Sequence, residues 1–414
     1  MSSLIILGAG TGGTLLANKL RKALPSDWSI TVIDRNNAHH YQPGYLFIPF
    51  GTYRPKQVVK PRDRYLPGVK FLIDEATAID KDSNTITLAS GQVIGFDKLI
   101  VATGTHSAPE EVAGMAEALA NTDSVHEFYS LEGASRLKPA LKKLEKGNLV
   151  VHISEMPIKC PVAPMEFALL AQDYMRKRGR GFDVDITFVT PLDGAFTKPV
   201  ASKELGTFLA TRGIKVVTDF HVAEVDGPGR QLTSFDGRVV DFDLLVTVPP
   251  NRGATVIADS HLCNDAGFLP VNPHTLQSLA SPDIWGIGDA TDVPTSKAGS
   301  VVHFQADTLV PNLLADIAGR DLPESFDGHA NCFIESGRGE AMLLDFNYEQ
   351  EPVTGTFPLA KVGPLKLLAP SKLNHLSKLA FEHVYWNLLI RGLPLPVSAH
   401  MSTAGKNIKT DATR

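Results

Sequence analysis

The sequence predicts an α/β protein of two Rossmann-like nucleotide-binding halves, followed by a C-terminal region that associates with a membrane. Three observations predict it. Strand-like Leu4-Ile5-Ile6-Leu7 runs through Gly8-Ala9-Gly10-Thr11-Gly12-Gly13 into a helical stretch, Thr14 to Ala23. A second alternation of strands and helices, about 147 to 250, lacks the equivalent glycines. Between Leu365 and Leu393, leucines and aromatics alternate with lysine and arginine.

The first half reads as a complete dinucleotide site. Gly8, Gly10 and Gly13 fit G-x-G-x-x-G: a tight turn, a close backbone approach to a pyrophosphate, and helix packed on strand. The strand Ile30 to Ile33 ends at Asp34, 21 residues after Gly13, where an acid binds an adenosine ribose. Asp97 to Val101 leads into the small-residue turn Ala102-Thr103-Gly104. Ile284-Trp285-Gly286-Ile287-Gly288-Asp289 repeats the strand-then-turn design, with a helix expected from near Ser300.

The totals exclude several classes. With 414 residues the chain is long enough for more than one domain, and 43% apolar with 21% charged residues is an ordinary globular balance. A net charge of -5 argues against a nucleic-acid binder. Three cysteines are too few for a disulfide scaffold, so a bridge here would be redox-active rather than structural. No charged n-region and cleavage site precede the first strand, so no secretory signal is expected. No run of 18 apolar residues suggests a spanning helix. No cluster has zinc or iron–sulfur spacing, and His39-His40 is too isolated for a metal site.

The most informative stretch is Ile158-Lys159-Cys160-Pro161-Val162-Ala163-Pro164-Met165-Glu166. It follows the strand Leu149 to Ile153 and precedes a helix, Met165 to Arg178. The expected pattern continues with strand 185–190, helix 201–212 and strand 214–218. Where a second phosphate loop should stand, the chain reads Ser154-Glu155-Met156-Pro157-Ile158-Lys159-Cys160. Glu155 would repel a pyrophosphate, and the glycines are missing, so this half is expected to keep the fold without binding NAD(P)H. A thiol at a strand-to-helix turn faces the positive end of the helix dipole, which favours thiolate; a buried structural cysteine is the plain alternative. A second cysteine stands in Asn331-Cys332-Phe333, 172 residues later.

The glycine loop, the Ala-Thr-Gly turn and the Gly-Asp pair together resemble the two-dinucleotide-domain flavoproteins over nearly the whole chain. The resemblance implies FAD held by Gly8, Gly10, Gly13, Asp34, Thr103, Gly104, Gly288 and Asp289. Lys159-Cys160-x-x-Ala163-Pro164-x-Glu166, Asn331-Cys332-Phe333 and Ser296-Lys297-Ala298-Gly299 narrow it to the sulfide:quinone oxidoreductases and the flavoprotein subunit of flavocytochrome c sulfide dehydrogenase. That resemblance implies that Cys160 and Cys332 flank the flavin and hold sulfur between them, sulfide being oxidised and the electrons passing through FAD to a membrane quinone. It implies Lys297 near the flavin pyrimidine edge, the alternative being a solvated loop lysine. Glu166 suits a general base, or a first-turn carboxylate that only favours the dipole.

Two departures from the family stand out. Asp123-Ser124-Val125-His126-Glu127-Phe128-Tyr129 has no cysteine where many members carry a third, and His126 reads as structural. Phe196 stands where a histidine is expected. Cys263, in a loop, reads as non-catalytic.

On a helix from Ser371, positions 373, 376, 380, 384 and 388 form one apolar stripe, with Tyr385 and Trp386 suited to headgroup depth. This predicts an interfacial helix on a membrane; the alternatives are docking on the enzyme's own core or a dimer contact. The tail from Ser398 is expected to fray. The expected division is 1–110 with 251–325 for FAD, 111–250 for the second nucleotide fold, and 326–414 for the C-terminal region. Competing readings are a flavoprotein subunit passing electrons to cytochrome c, a type II NADH:quinone dehydrogenase, and a flavin-binding sensor or assembly factor without turnover. Self-association into a homo-oligomer stays open.

Overall fold

Two five-stranded parallel sheets carry the chain, and the turns at their carboxyl ends meet at one cavity. The computed structural model describes residues 2–179 and 183–408. In the first sheet the strands run Ile284–Gly286, Lys98–Val101, Ser2–Leu7, Trp28–Asp34, Lys70–Ile73, all parallel. Leu4, Ile6, Leu99 and Ile100 are fully buried, as strands covered on both faces must be. In the second sheet the order is Val125–His126, Leu244–Val248, Lys146–Ile153, Asp183–Val189, Ile214–Val217, again all parallel. Helices Ala163–Arg178 and Pro199–Thr211 follow its strands.

The connection between halves is short and polar. Asn251 Oδ1 accepts from the Lys159 N–H at 3.1 Å, and Arg252 pairs with both Glu111 and Glu155. Glu155 is therefore charge-paired to Arg252.

A third sheet of four strands, in the order Ala330–Gly337, Glu340–Phe346, Leu365–Leu367, Gly355–Phe357, closes the structure beside the helix Ala163–Arg178. The sequence pattern misses its first strand, in which Cys332 pairs in register with Leu344. The C-terminal helix runs Lys372–Val384 and widens into a π-helical turn, Tyr385–Leu389. Ser371 caps it, its side chain accepting from the Leu373 N–H.

This helix corrects one expectation. Tyr385 and Trp386 do not reach a headgroup layer: they are 1% and 2% exposed. Tyr385 Oη lies 2.8 Å from both Thr11 Oγ1 and His39 Nε2, and Trp386 packs on the rings of His39, Tyr41 and Tyr65. The turn thus docks on the glycine loop's own helix, Thr11–Ala23, where Asn18 also donates to Ile390 O at 2.8 Å. Apolar positions 373 and 376 do stay outside, Leu373 at 42% and Leu376 at 59% exposure. Past Ser398 the chain returns to the third sheet at Lys406, and the part of the expected fraying that falls on 409–414 lies outside the described residues. Lys406 is fully buried against Asp345, which also accepts from His329 Nε2 at 2.8 Å. A buried lysine is held only by such a partner. Among the described residues no helix is long and apolar enough to cross a membrane.

Trp386→Ala is expected to destabilise the protein by about 3–5 kcal/mol, the range for emptying a large aromatic from a core. Leu376→Ala should change stability by less than about 0.5 kcal/mol. Urea unfolding of both variants checks the contrast; equal, small effects would place the Trp386 ring outside the core.

Candidate active site

The first sheet positions the nucleotide loop. Gly8 has φ of +103°, and a Cβ there would stand 2.5 Å from Ala102 O. A Cβ on Gly13 would meet Gly8 O at 1.8 Å, so strand and helix touch backbone to backbone. At Gly10 a Cβ meets nothing within 4 Å, leaving the backbone open to a ligand. Asp34 ends its strand, accepts from the Ala9 N–H at 2.7 Å and pairs with Arg62. Thr103 Oγ1 and Asp289 Oδ1 are buried without partners among the described residues, and Gly104 and Gly288 adopt φ of +68° and +69°. Buried polar atoms are ordinarily satisfied. An orphaned hydroxyl and carboxylate beside an open glycine loop therefore fit the hydroxyl- and phosphate-rich chain of a dinucleotide such as FAD. Burial raises the Asp289 pKa, against the opposing charges of Lys297 and Lys159.

Asp289 and Lys297 also line a cavity of about 360 Å³ shared with Cys160, Cys332, Glu166 and Lys378. Its wall is mostly apolar, with Phe381, Leu395 and Val397 among the contributors. Four segments from distant parts of the chain converge here. The Cys160 turn is held at φ of +48°, a left-handed conformation that costs a non-glycine residue on the order of 1–3 kcal/mol. Three hydrogen bonds hold it: Cys160 N–H to Lys297 O at 2.6 Å, Ala163 N–H to Cys160 O at 2.9 Å, and Tyr129 Oη to Cys160 O at 3.1 Å.

Lys297 is buried rather than solvated. Its ammonium donates to Asp289 O and Thr291 O and sits 3.9 Å from the centre of the Phe268 ring. Burial lowers its pKa to about 8, with Asp289 and Asp292 pulling the other way.

Glu166, in the first turn of Ala163–Arg178, is 1% exposed. Its Oε1 accepts from the Glu335 N–H at 2.6 Å and pairs with Lys378. Burial lifts its pKa to about 7, despite the opposing pull of Lys378. Two carboxylates, Glu166 and Glu335, outweigh burial and hold the Lys378 pKa above its ordinary value.

The thiols do not behave as the helix dipole alone suggests. Burial, then the Glu166 carboxylate, pushes Cys160 well up, and the same two causes take Cys332 to about 12. Desolvation outweighs the dipole because both cysteines line the mostly apolar cavity, and Lys378 is the cation that opposes it for both. All three cysteines are free thiols.

Residues away from the cavity are equally informative. His126 is 5% exposed and its Nε2 bonds Asp123 O at 3.0 Å, a structural pairing. Cys263 is half-buried in a loop and packs against the core. Sequence reasoning missed Lys378, Tyr129 and Glu335. Lys378 was legible only as one basic group among several on an amphipathic helix, and only the helix's docked face singles it out.

Gly10→Val is expected to leave a folded protein that purifies without flavin, since its side chain enters open space on the ligand side. Gly13→Val should fail to fold, because its side chain meets the Gly8 carbonyl. Absorbance at the flavin band together with circular dichroism checks both; a Gly10→Val protein carrying full flavin would refute the placement.

The profile of the pyridine nucleotide-disulphide oxidoreductase family matches residues 2–306. The mitochondrial sulfide:quinone oxidoreductase of Schizosaccharomyces pombe is 29% identical over 373 residues, covering 87% of this chain and 81% of the relative. That of Mus musculus is 26% identical over 396 residues, covering 94% and 86%. The X-ray structure of the sulfide:quinone oxidoreductase from Aquifex aeolicus superposes with a TM-score of 0.79 at 22% identity, covering 95% of this chain and 92% of that one. The chain belongs to the pyridine nucleotide-disulphide oxidoreductase family and is similar, along most of its length, to sulfide:quinone oxidoreductases.

Proposed function

We propose that this chain is an FAD-dependent sulfide:quinone oxidoreductase in which Cys160 and Cys332 form the redox pair. The observation that carries the reading is the convergence on one apolar cavity of two free cysteines, a buried acid–base pair and the Asp289–Lys297 end of the nucleotide site. FAD, when bound, takes the electron pair released as sulfide becomes zero-valent sulfur and passes it to the quinone.

The chain's own groups divide the remaining tasks. Hydrosulfide attacks a sulfur of the Cys160–Cys332 bridge, forming one S–S bond as another breaks and leaving a thiolate. Buried thiols with raised pKa need a nearby cation for that thiolate, and Lys378 supplies it. Glu166, with a pKa near 7, takes the proton given up as sulfide is oxidised. Tyr129 and the Lys297 backbone hold the Cys160 turn against the cavity. Asp34 with the glycines Gly8, Gly10 and Gly13 grips the nucleotide end of FAD, and Thr103, Gly104, Gly288 and Asp289 the chain leading to the flavin.

The second nucleotide fold, within 111–250, serves as the platform for Cys160 rather than for NAD(P)H; residues 1–110 and 251–325 hold FAD, and 326–414 carry Cys332 and the membrane face. That face is read from exposed apolar side chains. Leu373 and Leu376, on the C-terminal helix, are 42% and 59% exposed, and Leu359 and Val362, in the turn between strands Gly355–Phe357 and Leu365–Leu367, are 54% and 75% exposed. Exposed apolar side chains of this kind suit a bilayer surface that supplies a lipid-soluble quinone to an apolar cavity.

Cys160→Ser and Cys332→Ser should each abolish bleaching of the bound flavin by sulfide under anaerobic stopped-flow mixing, with flavin content preserved. Serine is nearly isosteric but forms no sulfur bridge. Cys263→Ser should bleach at the wild-type rate. Sulfide bleaching that survives Cys160→Ser would overturn the pair, and bleaching by NADH would favour a dehydrogenase of the other class. Separately, Leu373→Asp with Leu376→Asp should weaken vesicle binding while leaving that bleaching intact; undiminished binding would remove the membrane face.

A further inference from the structure

The oxidation and the reduction do not balance in protons inside the cavity. Hydrosulfide, quinone and one further proton give zero-valent sulfur and quinol, so each turnover draws one proton from water. The cavity wall is mostly apolar, and its ionisable groups include the paired Glu166 and Lys378. A line of buried ionisable groups leads out of it.

Glu166 and Lys378 line the cavity and are paired. Lys378 also donates to Phe333 O at 3.1 Å, on the strand that carries Cys332. Two residues further along that strand, Glu335 is fully buried, and its carboxylate acts electrostatically on both Lys378 and Glu166. His375 Nδ1 lies 2.9 and 3.0 Å from the two Glu335 oxygens, and the His375 side chain is 25% exposed. His375 and Lys378 stand three positions apart on one helix, so both face the same strand. Burying a carboxylate such as Glu335 is costly, and a lone helix-to-strand contact does not require one.

We infer that His375, Glu335 and Lys378 form a proton-uptake line from the surface of the C-terminal helix to Glu166 and the quinone. Resting on the reading above, this adds a surface port and two relay groups to it. An imidazolium at His375 passes its Nδ1 proton to Glu335. Lys378 Nζ, an ammonium, first gives a proton to Glu166 or to the quinone oxygen, and the neutral amine then turns between the two carboxylates and takes the proton that Glu335 received. Each station gives up one proton and regains one, and no electron moves through them. The charged groups around His375 favour loading: Glu335 from the strand raises its pKa against burial, and Lys378 and Lys177 oppose it. His375 and Glu335 are positioning and relay residues and do not line the cavity.

The test uses the flavin-loaded protein on phosphatidylcholine vesicles with sulfide and a short-chain benzoquinone. His375→Ala and His375→Gln should both slow steady-state quinone reduction by at least about tenfold at pH 8, a modest share of what general acid–base catalysis supplies. Glutamine keeps a hydrogen bond to Glu335 but carries no proton, so a merely structural role would be restored by it. Added imidazole should recover the alanine variant in proportion to its concentration. Single-turnover bleaching of the flavin by sulfide, which needs only Glu166 as proton acceptor, should survive in both. Wild-type turnover in His375→Gln, or an alanine defect indifferent to imidazole, would overturn the line. Failure of the wild type itself to bleach with sulfide would instead overturn the proposed function.

Discussion

The buried pair of Glu166 with Lys378 is the contact on which the rest of the site depends. Each charge would be expensive to bury alone, and removing either partner strands the other. The pair therefore persists only when three elements are docked together: the helix Ala163–Arg178 of the second nucleotide fold, the strand Ala330–Gly337, and the helix Lys372–Val384. Those elements bring Cys160, Cys332 and the apolar face into one place. The C-terminal region is thus a wall of the cavity, and Lys406, its side chain sealed against Asp345, ties its last described turns to the same sheet.

A second constraint separates the turns of the two parallel sheets. In the first half the backbone carbonyl of Gly8 approaches the helix so closely that only glycine fits at position 13. In the second half the strand Lys146–Ile153 leads into a longer turn, which crosses to pair Lys159 with Lys297. The turn that would have cradled a pyrophosphate now holds a cysteine in left-handed backbone, pinned to the Lys297 carbonyl. This topological position, after a strand at the carboxyl end of a parallel sheet, lines the shared cavity.

The electrostatics of the thiols follow from this arrangement. A helix N-terminus supplies only a fraction of a charge and acts over about one turn, whereas full burial removes the solvation of a thiolate altogether. With both sulfurs inside, the balance rests on Lys378, whose ammonium is shared between sulfurs and carboxylates.

Local patterns in the sequence were enough for the nucleotide sheet, because glycine spacing, strand periodicity and Asp34 are consequences of short-range sterics and ligand approach. The same holds for the second alternation of strands and helices, for the start of the C-terminal helix at Ser371, and for the significance of Cys160 in a loop without glycines. The strand around Cys332 was not legible: its pairing partner Leu344 and the helix that covers it are supplied by tertiary contacts. Nor did the amphipathic pattern of 371–390 show which of its two apolar faces meets protein. Leu373 and Leu376 stay outside while Tyr385 and Trp386 go in, because His39, Tyr41 and Tyr65, more than 300 residues earlier, form the surface they pack on. Sequence alone determined that one strand-to-helix loop carries the G-x-G-x-x-G glycines and that the equivalent loop of the second half carries Cys160 without them. Tertiary structure alone decided that Lys378 pairs with Glu166 and His375 with the neighbouring buried Glu335, since the energy of a buried charge depends on neighbours that no local pattern specifies.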